Sequence, residues 1–230
     1  FEQLGVTVDL NVNDLIERPV TPSASGILDR VADVEGLSGS AFSDVLRGDD
    51  ADATEINVPG PLNGVLTNID LITGLQEVLG TGVTSFGTGN IILGGDGSDI
   101  IEGRGGDDLI DGDRSLNVRV SVRDPNNPNV EIRSVNSLTE LVPDMLAGTI
   151  NPSQLQIVRE ILPGSGGFNF DTAVFSGAQA DYTVVIDDNG TPLNAADDIV
   201  TVTDNIAGRD GIDRVQNIER LQFSDSTRVL

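Results

Sequence analysis

Four apolar pairs set the pattern of this chain: Val45-Leu46, Ile91-Ile92, Ile100-Ile101 and Leu109-Ile110. Each directly follows Asp44, Asn90, Asp99 or Asp108. The last three recur every nine residues, each behind a glycine-rich turn. Asp44 lies 46 residues before Asn90, one more than five nonapeptides, so 48–84 is not a run of plain repeats and reads as an inserted loop with a short helix. Neighbouring strand residues face opposite sides, so Leu46, Ile92, Ile101 and Ile110 should share an interior. The apolar residue before each of them should then need a cover on the opposite face.

Simple alternation predicts strands at 5–10 (GVTVDL), 116–122 (LNVRVSV) and 198–204 (DIVTVTD), with a turn or loop at 124–129 (DPNNPN). Residues 11–26, with Pro19 and Pro22, read as an excursion. Residues 137–147 place Leu138, Leu141, Val142, Met145 and Leu146 at helical spacing behind a Ser137/Glu140 capping box, with Pro143 expected to kink or divide the helix. Residues 151–162 read as a second helix, with Asn151 as N-cap, Pro152 in the first turn, and Leu155, Val158, Ile161 and Leu162 on one face. These helices are the expected cover for Ile100 and Leu109. The last third returns to strands, with acidic turns at Asp187, Asp188, Asp197 and Asp198. ILDRVADVEGL (27–37) is echoed by GIDRVQNIERL (211–221), which predicts related turns at both ends of one stacked architecture. The expected organisation is a repeat unit over 1–134 with its core at 85–113, a helical cover over 135–163, and a C-terminal β region over 164–230.

The turns carry the chemistry. Residues 94–102 (GGDGSDIIE) fit G-G-x-G-x-D-x-U-x throughout, and 103–111 (GRGGDDLID) keep Gly103, Gly106, Asp108 and Ile110. In such nonapeptides the first six residues form a turn that offers carbonyls and an aspartate to Ca²⁺, and the last three form a strand. Calcium is a hard cation taking six to eight oxygens, which carboxylates and glycine-freed carbonyls supply. Between Gly94 and Asp113 seven side chains are acidic and only Arg104 is basic, so local folding should need a cation. Asp99 and Asp108 are the expected principal ligands, supported by Asn90, Asp96, Asp107 and Asp113 and by the backbone at Gly94, Gly97, Gly103 and Gly105. Asp44, Asp49 and Asp50 form a further candidate group. Asp111, on the strand, is expected in solvent.

Composition narrows the functions. The net charge of −24 and pI near 4.1 argue against nucleic acid and anionic membrane surfaces as partners. All 13 basic residues are Arg, and there is no Lys, His or Cys. That excludes a Schiff-base lysine, an imidazole base, a thiol nucleophile and a Cys/His zinc site. No apolar run approaches the length of a membrane span.

The nonapeptides resemble the RTX (hemolysin-type) calcium-binding repeats of proteins exported by bacterial type I secretion. The resemblance implies a mostly β fold: a parallel β-roll or solenoid with calcium-binding turns, a small helical segment covering one face, and a C-terminal β region. It implies an extracellular bacterial protein, secreted or on the cell surface, that folds on Ca²⁺. In that family two half-sites on one edge come from repeats two apart. Asn90 would then face Asp108, and Asp99 would face the degenerate turn Gly112 to Asn117. VTSFGTGNIILGG (83–95), LNVRVSV, LVPDMLAGTINPSQLQIVREIL (141–162) and DTAVFSGAQADYTV (171–184) resemble the non-catalytic RTX region of bacterial animal-type haem peroxidases. The chain would then be a non-enzymatic part of a larger parent protein beginning upstream of Phe1. Two alternatives stand beside this reading. The C-terminal β region could bind a cell-surface partner or glycan, although Tyr182 is the only Tyr and there is no Trp. Calcium-triggered self-cleavage, known in some RTX proteins, could act at Asp124-Pro125.

Overall fold

The structure, a computed structural model, describes residues 4–11, 16–17, 34–60, 63–191 and 198–230. The 11–26 excursion, most of the 27–37 echo and Asp197 lie outside the described residues. The protein is mostly β, with parallel sheets and a few short helices.

The repeat strands are three residues long and alternate between two sheets. The first sheet takes β1 (Thr7–Asp9), β2 (Ile16–Glu17), β4 (Val45–Arg47), β6 (Ile100–Glu102), β11 (Thr172–Val174), β15 (Arg220–Gln222) and β16 (Thr227–Val229), in the order β16-β15-β11-β6-β4-β1-β2. The second takes β3 (Gly36–Ser38), β5 (Ile91–Leu93), β7 (Leu109–Asp111), β12 (Tyr182–Asp187), β13 (Ile199–Asp204) and β14 (Ile212–Gln216), in the order β12-β13-β14-β7-β5-β3. Pairing is parallel from β1 to β15 and from β3 to β14.

The registers align the second residue of each apolar pair. Val8, Leu46, Ile101, Ala173 and Leu221 lie level in one sheet, and Leu37, Ile92, Ile110 and Val215 in the other. All of them meet in a single apolar interior. Burying each large aliphatic side chain contributes about 1.5–3 kcal/mol, which lets such short strands persist. Phe175, Tyr182 and Phe223 close this interior at its C-terminal end, with ring centroids 5.1–5.5 Å apart. The C-terminal β region thus continues both repeat sheets, through β11 and β15 in one and β14 in the other.

The expected helical cover is wrong in place and partly in kind. Residues 152–154 form one tight turn, capped by Asn151 as anticipated and by Gln154 completing a capping box, but Leu155–Leu162 is strand β10. It pairs along its whole length with β8 (Ser115–Asp124), which pairs on its other side with β9 (Asn127–Val135). Leu155, Ile157 and Ile161 fit a period of two as well as a helical one, and a long partner strand decides between them. The Ser137/Glu140 capping box does start a helical turn, Leu138–Leu141, and the stretch divides at Pro143, one of the two outcomes expected of it, with Val142–Leu146 beginning as a new short helix. This segment packs Leu141, Met145 and Ile150 over Val120, Val122 and Val135 of the β8–β9 hairpin, away from the repeats.

The insert supplies most of the cover instead, joined by Ile161 of β10. It holds helices α1 (Ala53–Ile56) and α2 (Leu75–Leu79) and a tight turn at Ile69–Leu71. Ile69, Leu75, Val78 and Leu79 pack on Ile91, Leu93 and Leu109, the outer face of the second sheet. Among the described residues no such apolar cluster lies over the outer face of the first sheet, and Ile100 is 43% exposed. Among the described residues no helix is long and apolar enough to cross a membrane.

Candidate metal centre

A three-residue parallel strand leaves the N–H just before it without a ladder partner, and a buried N–H must find one. The residue preceding each strand solves this with a side-chain oxygen. Along the first sheet, Asp44 Oδ1 accepts Val6 N–H (2.6 Å), Asp99 Oδ1 accepts Asp44 N–H (2.7 Å), Asp171 Oδ1 accepts Asp99 N–H (2.6 Å) and Glu219 Oε2 accepts Asp171 N–H (2.6 Å). Along the second, Asp108 Oδ1 accepts Asn90 N–H (2.6 Å) and Asp213 Oδ1 accepts Asp108 N–H (3.0 Å), while Asn90 Oδ1 accepts the turn N–H of Asp49 (2.8 Å), two residues past β4. Asp44, Asn90, Asp99, Asp108, Asp171 and Asp213 are all buried.

The second carboxylate oxygen is the informative one. Oδ2 of Asp99, Asp108 and Asp171 is buried without a hydrogen-bond partner. Each points at a glycine whose missing side chain leaves space. A Cβ on Gly94 would meet Asp99 Oδ2 at 2.5 Å and also strike the Gly112 carbonyl oxygen. A Cβ on Gly103 would strike Asp108 Oδ2, and one on Gly48 would strike Asn90 Oδ1 and the Gly103 carbonyl oxygen. Carboxylate or amide oxygens therefore converge with carbonyl oxygens at several of these spaces.

Electrostatics make the orphaned oxygens costly. Desolvation, with repulsion from Asp171, Asp44 and Asp113, pushes the Asp99 carboxyl up to about 7. Desolvation, with Asp49, Asp107 and Asp210 nearby, pushes Asp108 up to about 8. Asp171 is likewise pushed to about 7 by desolvation and by Glu219, Asp113 and Asp111. Burial also raises Asp213 well above its ordinary value. A buried anion with an unpaired oxygen is stable only if a proton or a cation meets it.

The remaining expected residues have different positions. Asp96 Oδ1 accepts Ser165 N–H (2.7 Å) and Asp107 Oδ1 accepts Ile212 N–H (2.9 Å), so both tie turns to C-terminal segments. Asp113 Oδ1 accepts a bond from the Asn169 side chain. Gly97, at φ 130°, lies against the backbone of Phe42 and Ser43, and Gly105 lies against Asp50. Asp44 and Asp49 do not form one group, because they sit at opposite ends of β4; Asp44 is already paired through Ser40 N–H (2.5 Å). Asp111 is buried rather than solvated, bonded to Asn217 Nδ2 (2.9 Å) and ion-paired with Arg114 (3.2 Å). Arg104, at φ 72°, forks onto Asp9 (2.7 and 2.8 Å) and the Gly48 carbonyl (3.0 Å). Asp124 Oδ1 caps the β8–β9 turn by accepting Asn126 N–H (2.7 Å), a structural use of the Asp-Pro pair.

Sequence reasoning missed Asp171, Asp213 and Glu219. The signal was present for two of them: 166–174 (GGFNFDTAV) and 208–216 (GRDGIDRVQ) keep glycines of the nonapeptide with the aspartate at position six, while 219–221 has only an acid, any residue and an apolar residue, without glycines ahead of it. Comparison with protein-family models, with curated proteins and with solved structures finds no match. Among the described residues no group of three or more Asp, Glu, His or Cys side chains is arranged to hold a metal by itself. A cation at these edges would take one or two carboxylates and draw its other oxygens from the backbone, a donor set that suits calcium.

Proposed function

We propose that this chain is a calcium-binding RTX module of a secreted bacterial protein, in which the two parallel sheets are the flanks of a β-roll. Calcium binding outside the cell completes the fold and supports type I export. The observation that carries this reading is the set of buried Asp99 and Asp108 oxygens, unpaired and aimed into glycine spaces. The Gly112 carbonyl shares the space at Asp99, and the Gly103 carbonyl shares the one at Asn90. Asp99 and Asp108 are the proposed principal ligands, with Asn90 Oδ1 and these carbonyls beside them. Asp96, Asp107 and Asp113 hold turns and contribute negative potential. The resemblance to peroxidase-associated RTX regions supports a larger parent whose haem chemistry lies elsewhere, since the chain has no His.

Binding only to the folded state adds about 2.7 kcal/mol per site at a hundredfold excess of ligand over Kd. EDTA should lower the melting temperature markedly, and millimolar Ca²⁺ should restore it where equal Mg²⁺, which demands tight octahedral coordination, does not. Asp99→Ala with Asp108→Ala should abolish most of that response. A melting curve indifferent to EDTA, from protein shown to be metal-free, would overturn the proposal.

A further inference from the structure

Among the described residues only one strand contains a glycine, Gly36 of β3. Its neighbour Leu37 packs on the shared interior, so Gly36 faces outward. It stands level with Ile91 of β5 and Leu109 of β7, which carry large apolar side chains on that face. Nothing local demands a glycine. The backbone is not left-handed and the β3–β5 register has no bulge. Among the described residues an added Cβ would have only the Ile91 carbonyl oxygen within 4 Å, at 3.9 Å. Glycine weakens a strand, and in a regular one it marks the close approach of a ligand or another backbone. What lies over Gly36 is a cleft of about 380 Å³, within the range of small-molecule sites. Leu66, Ile72, Leu75 and Phe86 of the insert form one wall, with Ile91 and Leu93 as the floor. Main-chain bonds hold both sides apart: β3 is laddered onto β5, and Leu66 and Phe86 exchange two hydrogen bonds (2.7 and 2.9 Å). Thr67 and Asn68 stand exposed at the mouth, and the Asn68 side chain does not cap the turn it precedes. Glu35 also lines the cleft but is engaged by another group, so it is not free to pair a cation. The net charge of −24 disfavours an anion.

We propose that the cleft over Gly36 binds a free small amphiphile: an aliphatic chain against Ile91, Leu93 and the insert, with an uncharged hydrogen-bonding head at Thr67 and Asn68. The side chain that Gly36 lacks is the space the aliphatic chain fills. Apolar walls supply the affinity, and the amide and hydroxyl at the mouth, each both donor and acceptor, receive the head. None of the carboxylates of the turn edges lines this cleft, so the inference goes beyond the proposed function and does not depend on it.

Gly36→Leu is the discriminating variant, because it gives β3 the side chain that its neighbours carry and fills the cleft. The full chain in millimolar Ca²⁺ is loaded with the neutral dye N-phenyl-1-naphthylamine, which is then displaced by 1-hexanol, 1-octanol and 1-decanol. In wild type each added methylene should tighten binding about fourfold. Octanoate should displace the dye less well than 1-octanol; equal displacement overturns the assignment of an uncharged head. Gly36→Leu should lose dye and alcohol binding while melting no lower than wild type. No uptake by wild type, equal uptake by Gly36→Leu, or capture by phosphatidylcholine vesicles without uptake of free alcohol overturns the inference. The response of both proteins to EDTA, measured in parallel, should be the same, so failure here leaves the calcium reading standing. If Gly36→Leu does not fold, wild-type crystals soaked in 8-bromo-1-octanol decide. Anomalous bromine density against Gly36 supports the site, and an empty cleft overturns it.

Discussion

Metal-free protein should gain stability as the pH falls from about 8 to about 5. Asp99, Asp108 and Asp171 have folded-state values of about 7, 8 and 7, against an ordinary 3.8. Across this window the folded protein binds protons that the unfolded chain does not, so unfolding becomes easier as pH rises. Stability from these groups is fully present below their unfolded values and is lost as pH rises through 7 to 8. From pH 5 to the folded values is about two units for Asp99 and Asp171 and about three for Asp108, which at about 1.4 kcal/mol per unit sets upper limits of about 2.8 and about 4.2 kcal/mol. Screening by solvent along the turn edge reduces this to about 1 kcal/mol each. Three such groups give about 3 kcal/mol, or roughly 6–12 °C in melting temperature for a chain of this size. Glu131, Glu160 and Asp204, which are held below their ordinary values, lose stability only at pH below this window. The assay is circular-dichroism melting in EDTA at half-unit steps of pH. Relief of general self-repulsion at −24 acts in the same direction, so the deciding quantity is the difference between wild type and Asp99→Asn. The variant should lose about 1 kcal/mol of the pH-dependent change, about a third of the part these three carboxylates supply. A slope identical in both proteins would show that Asp99 does not titrate in this range and would refute the account of its buried carboxylate.

Two further outcomes test the packing. Ile101→Ala, at a side chain fully buried between the sheets, should cost about 2–5 kcal/mol in urea unfolding with saturating calcium, whereas Ile100→Ala, 43% exposed, should cost about 1 kcal/mol or less; equal losses would contradict the assignment of inner and outer faces. Tyr182→Phe should cost about 1–3 kcal/mol, because the Tyr182 hydroxyl donates to buried Asp210 (2.5 Å) and accepts Gly177 N–H (2.8 Å); a neutral result would show that water replaces it without cost.

Local chemistry made much of this protein legible. The nine-residue spacing of Asn90, Asp99 and Asp108 marked the turn carboxylates, and the residue two places later marked the interior, because a short strand alternates its faces whatever surrounds it. The Ser137/Glu140 box and the Asn151 N-cap were likewise readable, being settled within four residues. What followed each cap was not. The 155–162 segment has apolar positions compatible with either period, and it became a strand because β8 offered eight paired positions across a gap in sequence. The cover of the second sheet came mainly from the insert at 48–84, joined by Ile161 alone of the expected 137–162 stretch, since both stretches are amphipathic and only the chain path decides which apolar face meets which. Asp171 and Asp213 were legible too, since the glycines of 166–174 and 208–216 mark both at the repeat position of Asp99 and Asp108. Glu219 has no glycines ahead of it, and only parallel pairing, which sets it beside the Asp171 N–H, distinguishes it from an ordinary strand opening. Short-range geometry, then, is written in the spacing of glycines and aspartates. Partner choice between distant strands is a competition among similar apolar faces, and only the assembled tertiary structure resolves it.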